Sequence, residues 1–392
     1  TCGGSGGAYG GFGGNSTGNG FLSRAGYGDP LHPKQYGSGV GGVYGPIPNG
    51  NGGGLIYLNI SKLLNLDGQI ISNGNNGSQG IGVPSGGGGA GGGIFVNTTT
   101  ITGSGEFIAI GASGTTNAGS GSGGGGSGGR IAVYSDTNSL DILESSVQGG
   151  EAGPSYGSKP YGEAGTLGFI DKDENTLTIK DGWQFMTTSH SYANITSYDS
   201  LIKFNTSAVV TTNDFFTNGI TNVGCVDKTK DVKLFVGNNI NLSNVYFKNT
   251  SYRRDCNWVN ISAPNNIWAT ISNLEIEAYD NITLDINENL SLTSSNLYND
   301  DPMNNVTFVD MNNLTLIDTT IYGNLWLFTN YLSIDVNSHI NSTGRGYPKY
   351  NGPGKGQNYS APVGATGAGH GGVGGNSSPV YLGGNVYGST LH

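Results

Sequence analysis

Asparagine residues offer the clearest chemistry in this chain, because sixteen of them open an Asn-x-Ser/Thr sequon. In a sequon the asparagine amide nitrogen accepts an N-linked glycan, a bulky polar group that stays on the protein surface. Random placement of the same residues gives roughly eight sequons, so the motif is about twofold enriched. The candidate glycosylation sites are Asn15, Asn59, Asn76, Asn97, Asn194, Asn205, Asn241, Asn249, Asn260, Asn281, Asn289, Asn305, Asn313, Asn341, Asn358 and Asn376.

Several of these asparagines recur at a fixed interval. Asn241, Asn265, Asn289, Asn313 and Asn337 stand 24 residues apart, and their neighbours repeat with them. A period of roughly 20 to 50 residues is typical of a solenoid, in which each unit buries its apolar side only by stacking on the next.

The residues around the sequons alternate between polar and apolar, as in a half-buried strand. Such a strand turns Ile282 and Leu284 inward and Asn281 outward. We therefore expect outward columns of glycosylated asparagines, one with Asn281 and Asn305, the other with Asn241, Asn289 and Asn313. The alternative is an internal ladder of hydrogen-bonded amides, and it stays open for Asn265 and Asn337, which lack sequons.

The chain also contains residues of the types that act in catalysis and metal binding. Asp300-Asp301 followed by Gly369-His370-Gly371 resembles the carboxylate pair and histidine of pectin-cleaving hydrolases, but the Arg-Ile-Lys of that pattern is missing. The other histidines show no metal-ligand spacing: they are His32, His190, His339 and His392. We therefore predict no enzyme activity, no bound metal and no cofactor, and keep a polysaccharide-degrading enzyme as the least favoured alternative.

The chain has three cysteines. Cys225 and Cys256 flank one stretch of chain, which fits a disulfide formed in an oxidising compartment. Cys2 is left over, and it is a candidate for a bond to another chain or to a segment upstream of Thr1, with a free buried thiol as the alternative.

Composition favours strands and turns over helices. Of 392 residues 72 are Gly and only 11% are charged, while Val, Ile, Thr and Tyr recur in short runs. The net charge of −10 opposes binding to nucleic acid, and no apolar run is long enough to span a membrane. Because the sequence starts at Thr1 without a signal-type stretch, we expect a processed or excised piece.

Glycine is concentrated at both ends, which places composition boundaries near residues 168 and 343. We predict an all-β parallel β-helix, or β-solenoid, with three parts. Residues 1–168 form Gly-rich coils with a period of about 37, and residues 169–343 form Asn/Thr-rich coils with a period of about 24. Residues 344–392 begin a second Gly-rich copy.

The Gly-rich part repeats in register. The matching segments are 68–74 with 105–111 and 86–96 with 123–133 at an offset of 37, 55–57 with 94–96 at 39, and 131–133 with 167–169 at 36. Glycine runs are otherwise typical of flexible linkers. Linkers drift in length, so the constant offsets favour stacked coils.

The two ends of the chain also match each other. Residues 11–17 return as 372–378 at an offset of 361, and residues 27–32 return as 387–392 at 360. Either the chain is one module of a tandem array, or its matching ends let subunits stack head to tail, which makes an open filament unless a ring closes.

Two stretches resemble a known family. Gly-Gly-Gly-Gly-Ser-Gly-Gly-Arg-Ile-Ala-Val (123–133) and Gly-Ala-Gly-His-Gly-Gly-Val-Gly-Gly-Asn-Ser (367–377) are similar to the glycine-rich parallel β-helix repeats of large secreted or cell-surface proteins of microbial eukaryotes. The resemblance covers residues 1–168 and 340–392, and it implies a surface or fibre role without a defined activity.

We therefore expect a structural, N-glycosylated protein located outside the cell or at its surface. Its partners would be copies of itself or adjacent modules of the same chain, together with covalent N-glycans. The alternative is a cell-surface adhesin or glycan-binding β-helix module.

Overall fold

The structure, a computed structural model, describes residues 3–16, 22, 24–40, 50–78, 85–116, 121–153, 161–186, 189–204, 209–225, 232–247, 256–263, 268–272, 274–286, 289–299, 305–343, 345 and 353. In the first half, the described strands are β1 (Leu55–Asn59), β2 (Leu63–Asn65), β3 (Gln69–Ile71), β4 (Gly93–Asn97), β5 (Thr100–Thr102), β6 (Glu106–Ile108), β7 (Arg130–Ser135), β8 (Thr137–Asn138) and β9 (Thr166–Asp171). A single 3₁₀ turn, Ile142–Glu144, follows β8.

The second half is described as longer strands. They are β10 (Thr176–Phe185), β11 (Ser189–Phe204), β12 (Val209–Cys225), β13 (Val232–Ser243), β14 (Val245–Phe247), β15 (Cys256–Ala263), β16 (Trp268–Ser272), β17 (Glu275–Ile286), β18 (Asn289–Thr293), β19 (Asn296–Asn299), β20 (Asn305–Ile317), β21 (Thr320–Tyr322), β22 (Asn324–Ile334) and β23 (His339–Asn341). No α-helix occurs among the described residues.

The first strands stack in columns. β1, β4, β7 and β9 pair in parallel, as do β2, β5 and β8, and β3 with β6. Residues of the same kind meet in each column: Ile94 pairs with Ile131, and Ile131 with Leu167, and all three side chains are fully buried. Burying each such side chain contributes about 1.5–3 kcal/mol, so the stacking of parallel strands supplies the core.

One predicted alignment is wrong by a single residue. An offset of 39 pairs Leu55 with Ile94, whereas in the sheet Ile56 pairs with Ile94 and Leu55 with Gly93. A slip of one residue moves every side chain to the other face of a strand. Because all of residues 55–58 are apolar, on both sides of the strand, the sequence pattern alone does not determine which of them face the core.

The sheet continues into the second half through one antiparallel pair. β9 and β10 run antiparallel, with Leu177 opposite Ile170, and from β10 onward the described pairings are parallel again. The main sheet contains 18 of the described strands. The prediction of an all-β chain built on parallel strands is therefore confirmed, and the antiparallel pair was not foreseen.

Alternation along the strands divides core from surface as expected. In β17 the side chains of Ile282, Leu284 and Ile286 are fully buried, whereas Asn281 and Thr283 are only partly buried. The same inward rows continue from strand to paired strand and form one apolar cluster.

The 24-residue interval holds for only part of the second half. Asn289 pairs with Asn313 and Leu297 with Ile321 at that offset. Elsewhere Thr176 pairs with Asn194, an offset of 18, and Asn241 with Thr270, an offset of 29. The interval between paired strands therefore varies, because the intervening segments differ in length while the strands stay in register.

The described glycine runs form a packed layer, which we call the glycine bundle: segments 3–14, 37–40, 50–54, 72–78, 85–92, 109–116, 122–129, 147–153 and 161–165. Successive amides of one segment donate to different neighbours: Gly88 to Gly124, Gly89 to Asn75, Ala90 to Ser38, Gly91 to Ser127 and Gly92 to Ser72. Amides three residues apart thus donate to the same neighbouring segment: Gly88 and Gly91 to segment 122–129, and Gly89 and Gly92 to segment 72–78. Three residues per turn is the geometry of a polyproline II helix, so these are laterally bonded extended helices outside the sheet.

Close approach explains why this layer needs glycine. A Cβ on Gly88 would lie 1.8 Å from the carbonyl oxygen of Ala112, and a Cβ on Gly6 would lie 1.8 Å from that of Gly125. Residues 85–92 are buried throughout. The linker interpretation is therefore wrong for the described glycine segments.

A buried arginine attaches the N-terminal segment to the sheet. Arg130 is fully buried, and its guanidinium donates to the carbonyl of Tyr27 at 2.8 Å, to Thr166 Oγ1 at 3.2 Å and to Gln184 Oε1 at 3.0 Å. Burial lowers the pKa of Arg130 to about 10. The ring of Tyr9 lies 5.6 Å from the guanidinium carbon, and burial raises the pKa of Tyr9 to about 12.

Candidate glycosylation surface and end faces

Twelve of the sixteen candidate asparagines belong to the described residues, and none of these twelve is fully buried. The exposed ones are Asn59, Asn76, Asn241 and Asn341. The partly buried ones are Asn15, Asn97, Asn194, Asn260, Asn281, Asn289, Asn305 and Asn313. Outside the described residues lie Asn205, Asn249, Asn358 and Asn376. Glycosylation at all sixteen stays a prediction.

Some sequon asparagines stack directly on one another. Asn289 and Asn313 are register partners, and Asn313 Nδ2 donates a hydrogen bond to Asn289 Oδ1. Asn59 and Asn97 are also register partners, with Asn97 Nδ2 donating to Asn59 Oδ1 at 3.1 Å.

A third pair stacks through the backbone. The amide of Asn305 donates to Asn281 Oδ1 at 3.0 Å. Neighbouring strands lie about 4.8 Å apart, so in each of the three pairs two sequons share one small patch of surface.

The stacked amides combine the two arrangements that the sequence left as alternatives. Asn289 and Asn313 form a ladder, but the ladder lies on the outer side of the strands, opposite Leu290 and Leu314, which are buried. Asn337, for which an internal ladder was the alternative, is exposed in a turn. Asn265 lies outside the described residues.

The predicted column of Asn241, Asn289 and Asn313 is wrong for Asn241. Asn241 pairs with Thr270, and Thr270 pairs with Ser291, whereas Asn289 pairs with Trp268. Asn241 therefore stands in the column of Ser291, two residues away from Asn289. Variable turn lengths between β13 and β18 break the 24-residue count. The predicted column of Asn281 and Asn305 is present as a stacked pair.

Cys225 is the one cysteine whose side chain the structure describes, and it forms a disulfide. Cys225 is buried at the end of β12 and is disulfide-bonded. Cys256 begins β15, but its side chain lies outside the described residues, so its pairing with Cys225 stays a prediction. Cys2 also lies outside them.

The candidate catalytic residues are not among those that the structure describes. Asp300, Asp301 and residues 369–371 lie outside the described residues. Among the residues that are described, no group of three His, Cys, Asp or Glu side chains is arranged to hold a metal ion. In the same part of the chain, no helix is long and apolar enough to cross a membrane.

The stack ends in an open face at β1, β2 and β3, which we call the first end face. Among the described pairings these strands have one partner each, β4, β5 and β6. Ile56, Leu58, Leu64 and Ile70 pack against the core but stay partly exposed. On the paired strand β4 the corresponding core residue, Ile94, is fully buried.

The opposite end is open in the same way, at β22 and β23, which we call the last end face. β22 pairs with β20 and β23 with β21 in the described residues. Leu332 and Ile334 are 43% and 45% exposed, although their register partners Leu314 and Leu316 are buried. Core positions thus reach solvent at both ends of the stack.

These end-face residues were not identified from the sequence. The sequence does contain one signal: residues 325–328, Leu-Trp-Leu-Phe, are apolar on both sides of the strand. A strand that faces a core on one side and water on the other alternates instead. Such a break in alternation marks a strand with more apolar surface than one core can cover.

Comparison of the chain with protein-family models, with curated proteins and with solved structures finds no match.

Proposed function

We propose that this chain is a structural subunit of an extracellular or cell-surface fibre, a parallel β-solenoid that stacks end to end and carries N-glycans on its outer wall. The support comes from the columns of strands, the two end faces, the repeat of the chain ends and the placement of the sequons.

The solenoid interpretation is supported by three successive coils that repeat the same order of strands. β1, β2 and β3 are followed by β4, β5 and β6, and each strand pairs in parallel with its counterpart in the next coil. The third coil continues two of the columns with β7 and β8. A chain that winds in this way adds coils along one axis, each about 4.8 Å from the last.

The observation that carries the fibre proposal is that core positions are exposed at both ends of the stack. Solenoids need polar caps at their ends to stay soluble as monomers, and open strand edges pair with other chains. Here the first end face offers Ile56 and Leu58, and the last end face offers Leu332 and Ile334. Because the two faces differ, contact between them is heterologous and propagates as a filament unless a ring closes.

The repeated chain ends support the same contact. Residues 364–378 repeat residues 3–17 at an offset of 361 and lie outside the described residues. In segment 3–14, six glycines have no room for a Cβ: Gly3, Gly6, Gly7, Gly10, Gly11 and Gly13. The second copy keeps glycine at five of these positions and has Ala368 at the sixth. It therefore suits a similar place in the glycine bundle of a neighbouring subunit or module, provided that the segment facing Ala368 leaves room for its methyl group.

A charge placed on an end face tests the proposal. Ile334→Lys puts a charge among the exposed core positions, and Ser333→Lys puts the same charge on the opposite side of the same strand. In sedimentation velocity the unmodified chain and Ser333→Lys should form long assemblies, and Ile334→Lys should stay monomeric. Monomers of the unmodified chain, or equal assembly by all three, would refute end-to-end stacking.

The adhesin alternative has one observation in its favour. Trp326 and Phe328 are 55% and 58% exposed on the outer side of β22, and such amphipathic aromatic surfaces are common where proteins bind partners. Binding of monomeric Ile334→Lys to a glycan array, lost in Trp326→Ala, would favour this alternative.

A further inference from the structure

An open groove crosses the outer side of three consecutive strands, β18, β20 and β22. We call it the outer groove. Its volume is about 260 Å³, and its outward side chains are Asn289, Ser291, Asn313, Thr315, Tyr331 and Ser333. Leu290, Leu314 and Leu332 also line the groove, so it offers apolar surface beside these polar groups.

The ring of Tyr331 stands directly beside a sequon asparagine. Asn313 is the register partner of Tyr331 on one side and of Asn289 on the other. Tyr331 is 69% exposed. On the side away from Asn313, Asn289 is in register with Trp268, whose side chain lies outside the described residues. The described part of the groove therefore opens from Asn313 toward Tyr331.

From this geometry we infer that Asn313 carries the glycan of the Asn289–Asn313 pair, and that its first N-acetylglucosamine lies in the outer groove against the ring of Tyr331. The inference rests on the proposed glycosylation of the outer wall. A tyrosine ring offers an apolar face beside a polar hydroxyl, which suits the mixed apolar and hydroxyl surface of a sugar.

Spacing limits the pair to one glycan. The two asparagines stand on strands about 4.8 Å apart, which is less than the width of a hydrated sugar chain. A sugar on Asn313 has the space over Tyr331 to turn into. It also leaves one N–H on the amide, so the hydrogen bond to Asn289 Oδ1 is kept.

The chemistry of attachment is the ordinary transfer to a sequon. A bond forms between Asn313 Nδ2 and C1 of the sugar of a lipid-diphosphate-linked oligosaccharide. The bond from C1 to the diphosphate oxygen breaks, and the lipid diphosphate and one amide proton leave. Thr315 completes the sequon on the same outer side of β20.

Site occupancy is the first test. The full chain is secreted from eukaryotic cells and cleaved before aspartate, which separates Asn289 (peptide 285–299) from Asn313 (peptide 310–317). We expect a glycan on Asn313 and an unmodified Asn289, and in Asn313→Gln we expect the glycan to move to Asn289. An unmodified Asn313, or occupancies at the two asparagines that add up to clearly more than one glycan per molecule, would overturn the inference.

Enzymatic release of the glycan from the folded protein tests the contact with Tyr331. Tyr331→Ala should speed release from Asn313 roughly three- to tenfold, the range expected for loss of one aromatic contact. Trp326→Ala is the matched control, since it removes an exposed aromatic side chain from the same side of β22 outside the groove, and it should leave the rate unchanged. Equal rates in both variants would contradict the contact.

These results are separable from the fibre proposal. Glycans at other sequons with a bare Asn313 contradict only the present inference, and a chain without any N-glycan contradicts the proposed glycosylation itself. Correctly glycosylated chains that stay monomeric contradict only end-to-end stacking.

Discussion

Lys203 donates a 2.8 Å hydrogen bond to Glu163 where both side chains are almost completely buried, at 3% and 6% exposure. The same carboxylate oxygen accepts the backbone amide of Phe12 at 3.0 Å. One ion pair therefore joins the sheet to the N-terminal segment of the glycine bundle.

Breaking this ion pair should destabilise the fold strongly. Lys203→Met removes the Lys203 cation from the buried Glu163 carboxylate, and the expected loss is about 3–5 kcal/mol of unfolding free energy. Adding Glu163→Gln removes the buried negative charge while keeping an acceptor for Phe12, so the double variant should recover much of that loss. Denaturant unfolding measures both, and a double variant no more stable than Lys203→Met would contradict this role.

The glycine bundle predicts unequal effects of the same substitution at two glycines. Gly88→Ala places a methyl group 1.8 Å from the Ala112 carbonyl oxygen, so we expect a loss of about 2 kcal/mol or more from overpacking. Gly54→Ala meets nothing within 4 Å and should change stability by less than about 1 kcal/mol. Thermal unfolding compares the two, and equal midpoints would show that the bundle is not packed in this way.

The Cys225 disulfide should stabilise the second half of the chain. If Cys256 is its partner, the closed loop is intermediate in length, and reduction should cost about 3–4 kcal/mol. Cys225→Ser should reproduce the effect of reduction, whereas Cys2→Ser should not. Peptide mapping without reduction identifies the partner, and recovery of Cys225 linked to Cys2 would overturn the predicted pairing.

The sequence predicted the strand architecture well wherever apolar residues alternate. The pairings of Ile94 with Ile131 and of Leu290 with Leu314 follow from repeats alone, because stacked coils bury like residues on like. It failed for Leu55 and for Asn241, where register depends on turn length and on which of two adjacent apolar residues faces inward.

The candidate surface was only partly visible in the sequence. Sequons mark the asparagines, and alternation shows that they lie on the outer side, but the hydrogen bond between Asn289 and Asn313 depends on exact register. The neighbour of Asn313 in the next coil, Tyr331, is 18 residues away and not 24. The end-face residues were not identified because a run of apolar residues such as 325–328 shows excess apolar surface but does not show which strand ends the stack.

End-to-end stacking through two different faces is tested most directly by mixing two blocked variants. Ile56→Lys closes the first end face and Ile334→Lys closes the last, so each variant alone should be monomeric in sedimentation velocity. Mixed in equal amounts, they should form dimers of one copy of each and nothing longer, since only one pair of open faces remains. A mixture that stays monomeric, or either variant assembling alone, would contradict the account.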